Sequence, residues 1–205
     1  MVTSPVRQAD TKTRDRDVRA LVLSKALADH ASDPNVRVVE EMGLEHGSCR
    51  VDIAVVNGFI HGFEIKSDAD SLDRLPRQVD AYSRSLDRAT LVVGEGHLAA
   101  AETMLPQWWG IKVVRRGKKG GLQLFTHRPL QNNPNPSLFH MAPLMWRSDV
   151  VEVLREAGAS RRELGLKRAE LYKQLVETLP SVEVRRTIRA ALKSRENWRR
   201  PEQPS

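Results

Sequence analysis

Residues 50–67 read RVDIAVVNGFIHGFEIKS, an apolar hairpin sequence in which Asp52, Glu64 and Lys66 stand where a buried strand should carry no charge. Burying an ionised carboxylate is costly unless it is paired or coordinates a metal, so two acids and an ammonium on adjoining strands call for an explanation. Strand geometry restricts the answer. Glu64 and Lys66 are two apart and share one face, whereas Phe63 and Ile65 share the other with Val51, Ile53 and Val55 if the apolar residues are to meet in one core. A two-residue turn at Asn57-Gly58 would set Asp52 opposite Phe63 and turn it to the wrong face. A three-residue loop, Val56-Asn57-Gly58, with Gly58 in the left-handed region and a bulge restores the match and places Asp52 beside Glu64 and Lys66.

Three strands are predicted around this segment, over residues 36–42, 49–56 and 59–67, as an antiparallel meander preceded by a helix over 15–28. A second helix over 76–86, opened by Pro76, carries the stripe Leu75, Val79, Tyr82 and Leu86, and a short buried strand follows at 90–93. A third helix over 98–105 stops at Pro106, and strands at 111–115 and 122–126 pair across the GKKGG turn. Residues 1–14 are expected to be disordered. The turn-forming run QNNPNPS divides a core, residues 15–131, from a helical basic extension, residues 138–200, through a linker at 132–137. Three amphipathic helices are expected there, punctuated by Gly158 and Pro180.

With 205 residues, one ordinary domain and a small appendage are accommodated, and an apolar fraction of 40% beside 29% charged residues suits a soluble globular chain. No apolar run approaches the length needed to span a bilayer. The polar N-terminus and the single Cys49 point to the cytoplasm. The net charge of +7 is concentrated late: residues 147–200 hold 14 Lys and Arg against 8 Asp and Glu. Such an excess suits polyanion binding and equally a solvated helix surface.

Hard Mg²⁺ takes oxygen ligands, so two carboxylates and a backbone carbonyl make a suitable open site, and phosphodiester hydrolysis is the natural chemistry there. Asp52 followed by Glu64-Ile65-Lys66 resembles the D…(D/E)xK signature of the PD-(D/E)XK nuclease superfamily, with Val51 where the naming Pro would stand. Gln78-Val79-Asp80-Ala81-Tyr82 is similar to the Q-h-x-x-Y motif of its RecB-like branch. The stretch VDIAVVNGFIHGFEIKSDADSLDRLPRQVDAYSR also resembles a bacterial and phage family of unassigned function within that superfamily.

The resemblance spans about residues 15–115 and implies an α/β, restriction-endonuclease-like core: a mixed sheet flanked by helices. It implies Asp52, Glu64 and the Ile65 carbonyl as ligands of Mg²⁺, for which Mn²⁺ substitutes, and Lys66 as the residue that positions or activates water and stabilises charge on phosphorus. An additional acid is expected upstream from among Asp17, Glu40 and Glu41, with Glu41 favoured. Gln78 and Tyr82, at i and i+4, face one way and stand with the catalytic set; Tyr82 fits a core position equally. Contacts to nucleic acid are expected from Arg115, Arg116, Lys118 and Lys119 at the hairpin tip, and from Lys167 and Arg168 in a segment faintly similar to SAP-type DNA-binding modules. His61 and the Trp108-Trp109 pair read as packed core residues.

The leading expectation is a Mg²⁺-dependent DNA endonuclease in repair, recombination or phage defence, with DNA as partner. A homodimer or a helicase partner is the further association considered. Alternatives are a catalytically idle DNA-binding or assembly module and an exonuclease subunit of a helicase complex; the chain carries no Gly-rich phosphate loop of its own.

Overall fold

The computed structural model describes residues 12–30 and 33–195. Helix α1 (Asp15–His30) leads into strands β1 (Arg37–Leu44), β2 (Cys49–Val56) and β3 (Ile60–Lys66). Helix α2 (Leu75–Ser85), β4 (Arg88–Gly94), α3 (Leu98–Met104), β5 (Gly110–Arg116) and β6 (Leu122–Arg128) complete the sheet region. The strands form one six-stranded sheet in the order of the sequence. β1, β2 and β3 are antiparallel, β4 and β5 run parallel to β3, and β6 returns antiparallel. This is an α/β fold with a mixed sheet flanked by helices.

The two sheet faces bury different partners. On one, Val18 and Val22 of α1 close over Ile53, Ile65, Val92 and Val114. On the other, Val56, Ile60, Leu91, Val93 and Ile111 meet α2, with Tyr82 stacked on Trp109 at 5.3 Å between centroids. Trp108 and Trp109 are both buried, as their core reading required. Close contact between α2 and β3 depends on Gly62: a Cβ there would lie 2.6 Å from Leu86 Cδ1 and 3.4 Å from the Tyr82 ring.

The hairpin loop is three residues long, as parity demands, but shifted by one position. Val56 pairs with Ile60, so Asn57, Gly58 and Phe59 form the loop, with no bulge between β2 and β3. Gly58 is not left-handed. Asn57 Oδ1 instead accepts the Phe59 N–H at 2.9 Å, while the Asn57 N–H donates to the Phe59 carbonyl at 3.0 Å. A local side-chain acceptor thus does the turning that had been ascribed to glycine.

One further expectation changes. Residues 1–11 lie outside the described residues, but Thr13 of the leader expected to be disordered is buried, its N–H and hydroxyl both donating to Asp68 Oδ2, at 3.0 and 2.7 Å. The segment 132–137 carries no helix or strand, and within it the Asn133 amide is buried and donates to the carbonyls of Ser83 and Leu86, at 2.7 and 2.8 Å.

Beyond it come α4 (Leu138–Met141), α5 (Arg147–Glu156), α6 (Arg161–Leu164), α7 (Arg168–Thr178) and α8 (Ser181–Ser194). α4 and the division of one expected helix into α6 and α7 were not legible in the periodicity. Leu154, Leu171, Leu175, Val184 and Ile188 share one apolar cluster with the sheet, so these helices cover the core. Residues 196–200 of the expected extension lie outside the described residues.

Candidate active site

Asp52 lies on β2, and Glu64 and Lys66 lie near the carboxyl end of β3, where ligand sites of open α/β sheets commonly fall. Glu64 and Lys66 are side by side, with Lys66 Nζ 2.8 Å from Glu64 Oε1 and both side chains almost wholly buried. Asp52 is tied to the residue between them: its Oδ2 accepts the Ile65 N–H at 2.7 Å. The structure therefore joins Asp52 to the Glu64–Lys66 pair through the Ile65 main chain, near enough for its charge to act on Glu64.

Helix α2 closes the site from one side. Gln78 Nε2 donates to Glu64 Oε1 at 2.5 Å, and the Tyr82 hydroxyl donates to Glu64 Oε2 at 2.6 Å. The i, i+4 spacing of Gln78 and Tyr82 is what lets one helical face hold both oxygens of one carboxylate. Tyr82 is a core residue and a site residue at once, since its ring is fully buried. Burial pushes Glu64 up to about 7, Asp52 adds to the shift, and Lys66 and Tyr82 oppose it. Burial, with the charge of Glu64 next, holds the Tyr82 phenol well above its ordinary value.

Glu41 is the upstream acid nearest this constellation. The ladder between β1 and β2 keeps step on both sides of the Glu41–Asp52 position, where Glu41 takes a left-handed φ of 55°. That turn breaks the alternation that would otherwise govern β1: Val39 and Met42, three apart, both enter the cluster facing α2. Glu40 is exposed, and Asp17 sits 3.8 Å from its neighbour Arg16.

Arg19 was not anticipated. From α1 its Nη1 lies 2.7 Å from Glu41 Oε1 and its Nη2 lies 2.7 Å from Asp52 Oδ1, with Nε 3.5 Å from Asp15. Burial alone would lower its pKa, but the charge and hydrogen bond of Asp52 outweigh this and raise it. The signal that was available was the need of Asp52 for a counter-charge.

The basic groups separate into two sets. β5 runs parallel to β3 through β4, so Arg115 and Arg116 continue past the same end of the sheet that carries Lys66, followed by Lys118 and Lys119 at an exposed tip. Arg115 pairs with Glu95 at 2.9 Å, and Arg116 donates to the Gly120 carbonyl at 3.1 Å. Lys167 and Arg168 are exposed at the start of α7, away from the carboxylate cluster's own hydrogen bonds. His61 is a packed residue, 2.9 Å from Thr90 Oγ1 and tilted on Phe63 at 4.2 Å between centroids; burial lowers its pKa to about 3.

Among the described residues no group of three or more His, Cys, Asp or Glu side chains is assembled to hold a metal ion. The donor chemistry around Glu64 nonetheless fits a hard divalent cation. A carboxylate oxygen of Asp52 meets the Ile65 N–H, the neighbouring Glu64 carboxylate lies within reach of its charge, and Gln78 Oε1 is a buried oxygen with no hydrogen-bond partner. Oxygen donors of this kind suit Mg²⁺.

Fold and cluster together define an α/β protein with a buried acid–lysine site at the carboxyl end of its parallel strands. The family model described as bacteriophage P4 protein cII matches residues 8–200, and the chain belongs to that family. Protein cII of Enterobacteria phage P4 is 42% identical over 55 residues, a stretch covering 27% of this chain and 21% of the phage protein. No solved structure matches the chain.

Proposed function

We propose that the protein is a metal-dependent DNA endonuclease. One observation carries this reading: Asp52, Glu64 and Lys66 meet around Ile65, with Gln78 and Tyr82 gripping Glu64 from α2. The two-motif resemblance to PD-(D/E)XK nucleases, carried by the same residues, supports the same reading. Asp52 and Glu64, with the Ile65 carbonyl, are the residues to hold Mg²⁺ or Mn²⁺, and Glu41 is the acid nearest to join them. The ion would polarise the phosphodiester and lower the pKa of a bound water.

The protein's own groups do the rest. Lys66 places an ammonium beside the cluster, where it offsets charge developing on a phosphoryl oxygen. Gln78 and Tyr82 hold Glu64 in one rotamer and exclude water from its inner side. Arg116, Lys118 and Lys119, on the same end of the sheet, supply phosphate contacts that carry no sequence preference.

A second reading, an idle DNA-binding module, is favoured by Arg19, which holds the Asp52 oxygen an ion would use. The purified chain assayed on linear, nicked, branched and single-stranded DNA with Mg²⁺ or Mn²⁺ separates the two. Cleavage that is lost with chelator and with Asp52→Asn supports the enzyme; binding without cleavage of any substrate would overturn it.

A further inference from the structure

We infer that Arg19 is the resident cation of the acidic site, bridging Glu41 and Asp52 in the metal-free protein and leaving by exchange when a divalent ion enters. This rests on the metal-dependent reading and deepens it by naming what regulates occupancy.

The geometry is that of a planar fork held between two acids. Nη1 is 2.7 Å from Glu41 Oε1 and 3.3 Å from the Asp52 carbonyl, while Nη2 is 2.7 Å from Asp52 Oδ1. Asp52 has committed its other oxygen to the Ile65 N–H, so Oδ1 is the oxygen it can offer an ion. A guanidinium and a divalent ion sharing that oxygen would stand at contact distance with like charge. One must yield.

Arg19 cannot yield by losing its proton, because a guanidinium stays charged in proteins. It can yield by moving: 23% of its side chain is exposed, and its long stem starts on a helix whose grip on the sheet is apolar. Glu41 belongs to the same device. A non-glycine residue held at a φ of 55° inside a strand is strained, and here the strain aims its carboxylate at the cation position.

Mn²⁺ binding to the full-length chain, followed by the loss of the free-ion electron paramagnetic resonance signal, tests the exchange. Arg19→Gln should bind Mn²⁺ at least about tenfold more tightly than the wild type, the scale of one charge-assisted hydrogen bond no longer in competition. Arg19→Lys, which keeps the charge without the fork, should bind Mn²⁺ less tightly than Arg19→Gln and no more weakly than the wild type, and Asp52→Asn should remove binding from every version. Equal affinity in wild type and Arg19→Gln, with Asp52→Asn still abolishing it, would overturn the exchange and leave the metal reading standing. No Mn²⁺ bound by any version would remove both. If Arg19→Gln fails to fold, hydrogen exchange of the wild-type Arg19 guanidinium decides: Mg²⁺ should accelerate it severalfold as the group leaves its two acids, whereas unchanged or slower exchange there refutes the proposal.

Discussion

Oδ2 of Asp52 accepts the main-chain N–H of Ile65 at 2.7 Å, so a side chain on β2 supplies the partner of the residue that separates Glu64 from Lys66. The same carboxylate therefore has a structural and a chemical duty, and the two can be parted by substitution. Asp52→Asn keeps an acceptor for the amide and should abolish metal-dependent cleavage, losing in stability only the ion pair with Arg19. Asp52→Ala strands the N–H and should cost about 1–3 kcal/mol in addition. Cleavage assays beside urea denaturation check both; equal stability of the two variants would contradict this assignment.

Lys66→Ala should abolish cleavage and leave affinity for duplex DNA within about twofold, because affinity is spread over many phosphate contacts. Replacing Arg116, Lys118 and Lys119 by Ala should do the opposite. Each lost contact should flatten the plot of log affinity against log salt by about 0.9, with cleavage retained at saturating DNA. A triple variant with the wild-type salt slope would exclude the tip from the interface.

Glu64 and His61 should give the melting temperature opposing pH dependences. Burial and Asp52 raise Glu64 from 4.5 to about 7, so the folded state takes up a proton more readily than the unfolded one. The stability this contributes is present in full below about pH 4.5 and is lost as pH rises through about 7. His61 is lowered from 6.5 to about 3 by burial and neighbouring cations, so its neutral ring favours the fold above pH 6.5 and that contribution fades on acidification. Between pH 4.5 and 6.5 the two oppose each other. Glu64→Gln should leave a melting temperature that rises with pH across this window, and His61→Gln one that falls; parallel profiles in the two variants would refute the assignment.

Asp87 fastens the C-terminal helices to the sheet. Its buried carboxylate reaches Arg185 at 2.7 Å and Arg189 at 3.7 Å, both on α8, and accepts the Ile60 N–H at 2.9 Å. Asp87→Ala should destabilise the chain by about 3 kcal/mol, since it leaves partly buried cations and a buried N–H without this partner. Truncation at Asn135 should yield insoluble or unfolded protein, because it uncovers the apolar face that Leu154, Leu171 and Val184 close. Recovery of a truncated chain with the full melting temperature would argue that these helices are dispensable to the core.

The face shared by Glu64 and Lys66 was legible because strand alternation sets Phe63 and Ile65 with Ile53, but Val51, expected on that same face, lies in the cluster facing α2, so the alternation of β2 breaks at Asp52 just as that of β1 breaks at Glu41. The loop position was less so: Asn57 and Gly58 both favour turns, and only the hydrogen bonds made by Asn57 decide which residues occupy it. Arg19 gave no periodic signal, since its acids lie 22 and 33 residues downstream and a charged residue on an amphipathic helix reads as solvent-facing. The run at 131–137 was read as a linker because its composition suits turns, but composition does not reveal that Asn133 satisfies two carbonyls at the end of α2.

Gly62 has a reach that its lack of a side chain conceals. A methyl group there would press on Leu86 at the end of α2 and on Val51 of β2, and so lever α2 away from β3. The Tyr82 hydroxyl would withdraw from Glu64 although no charge, acid or base had been altered. In a screen, Gly62→Ala would pass for a lesion in the chemistry, when its target is the spacing of two backbones. Tolerance to change around this site should follow the contour of α2 as much as the location of the charges.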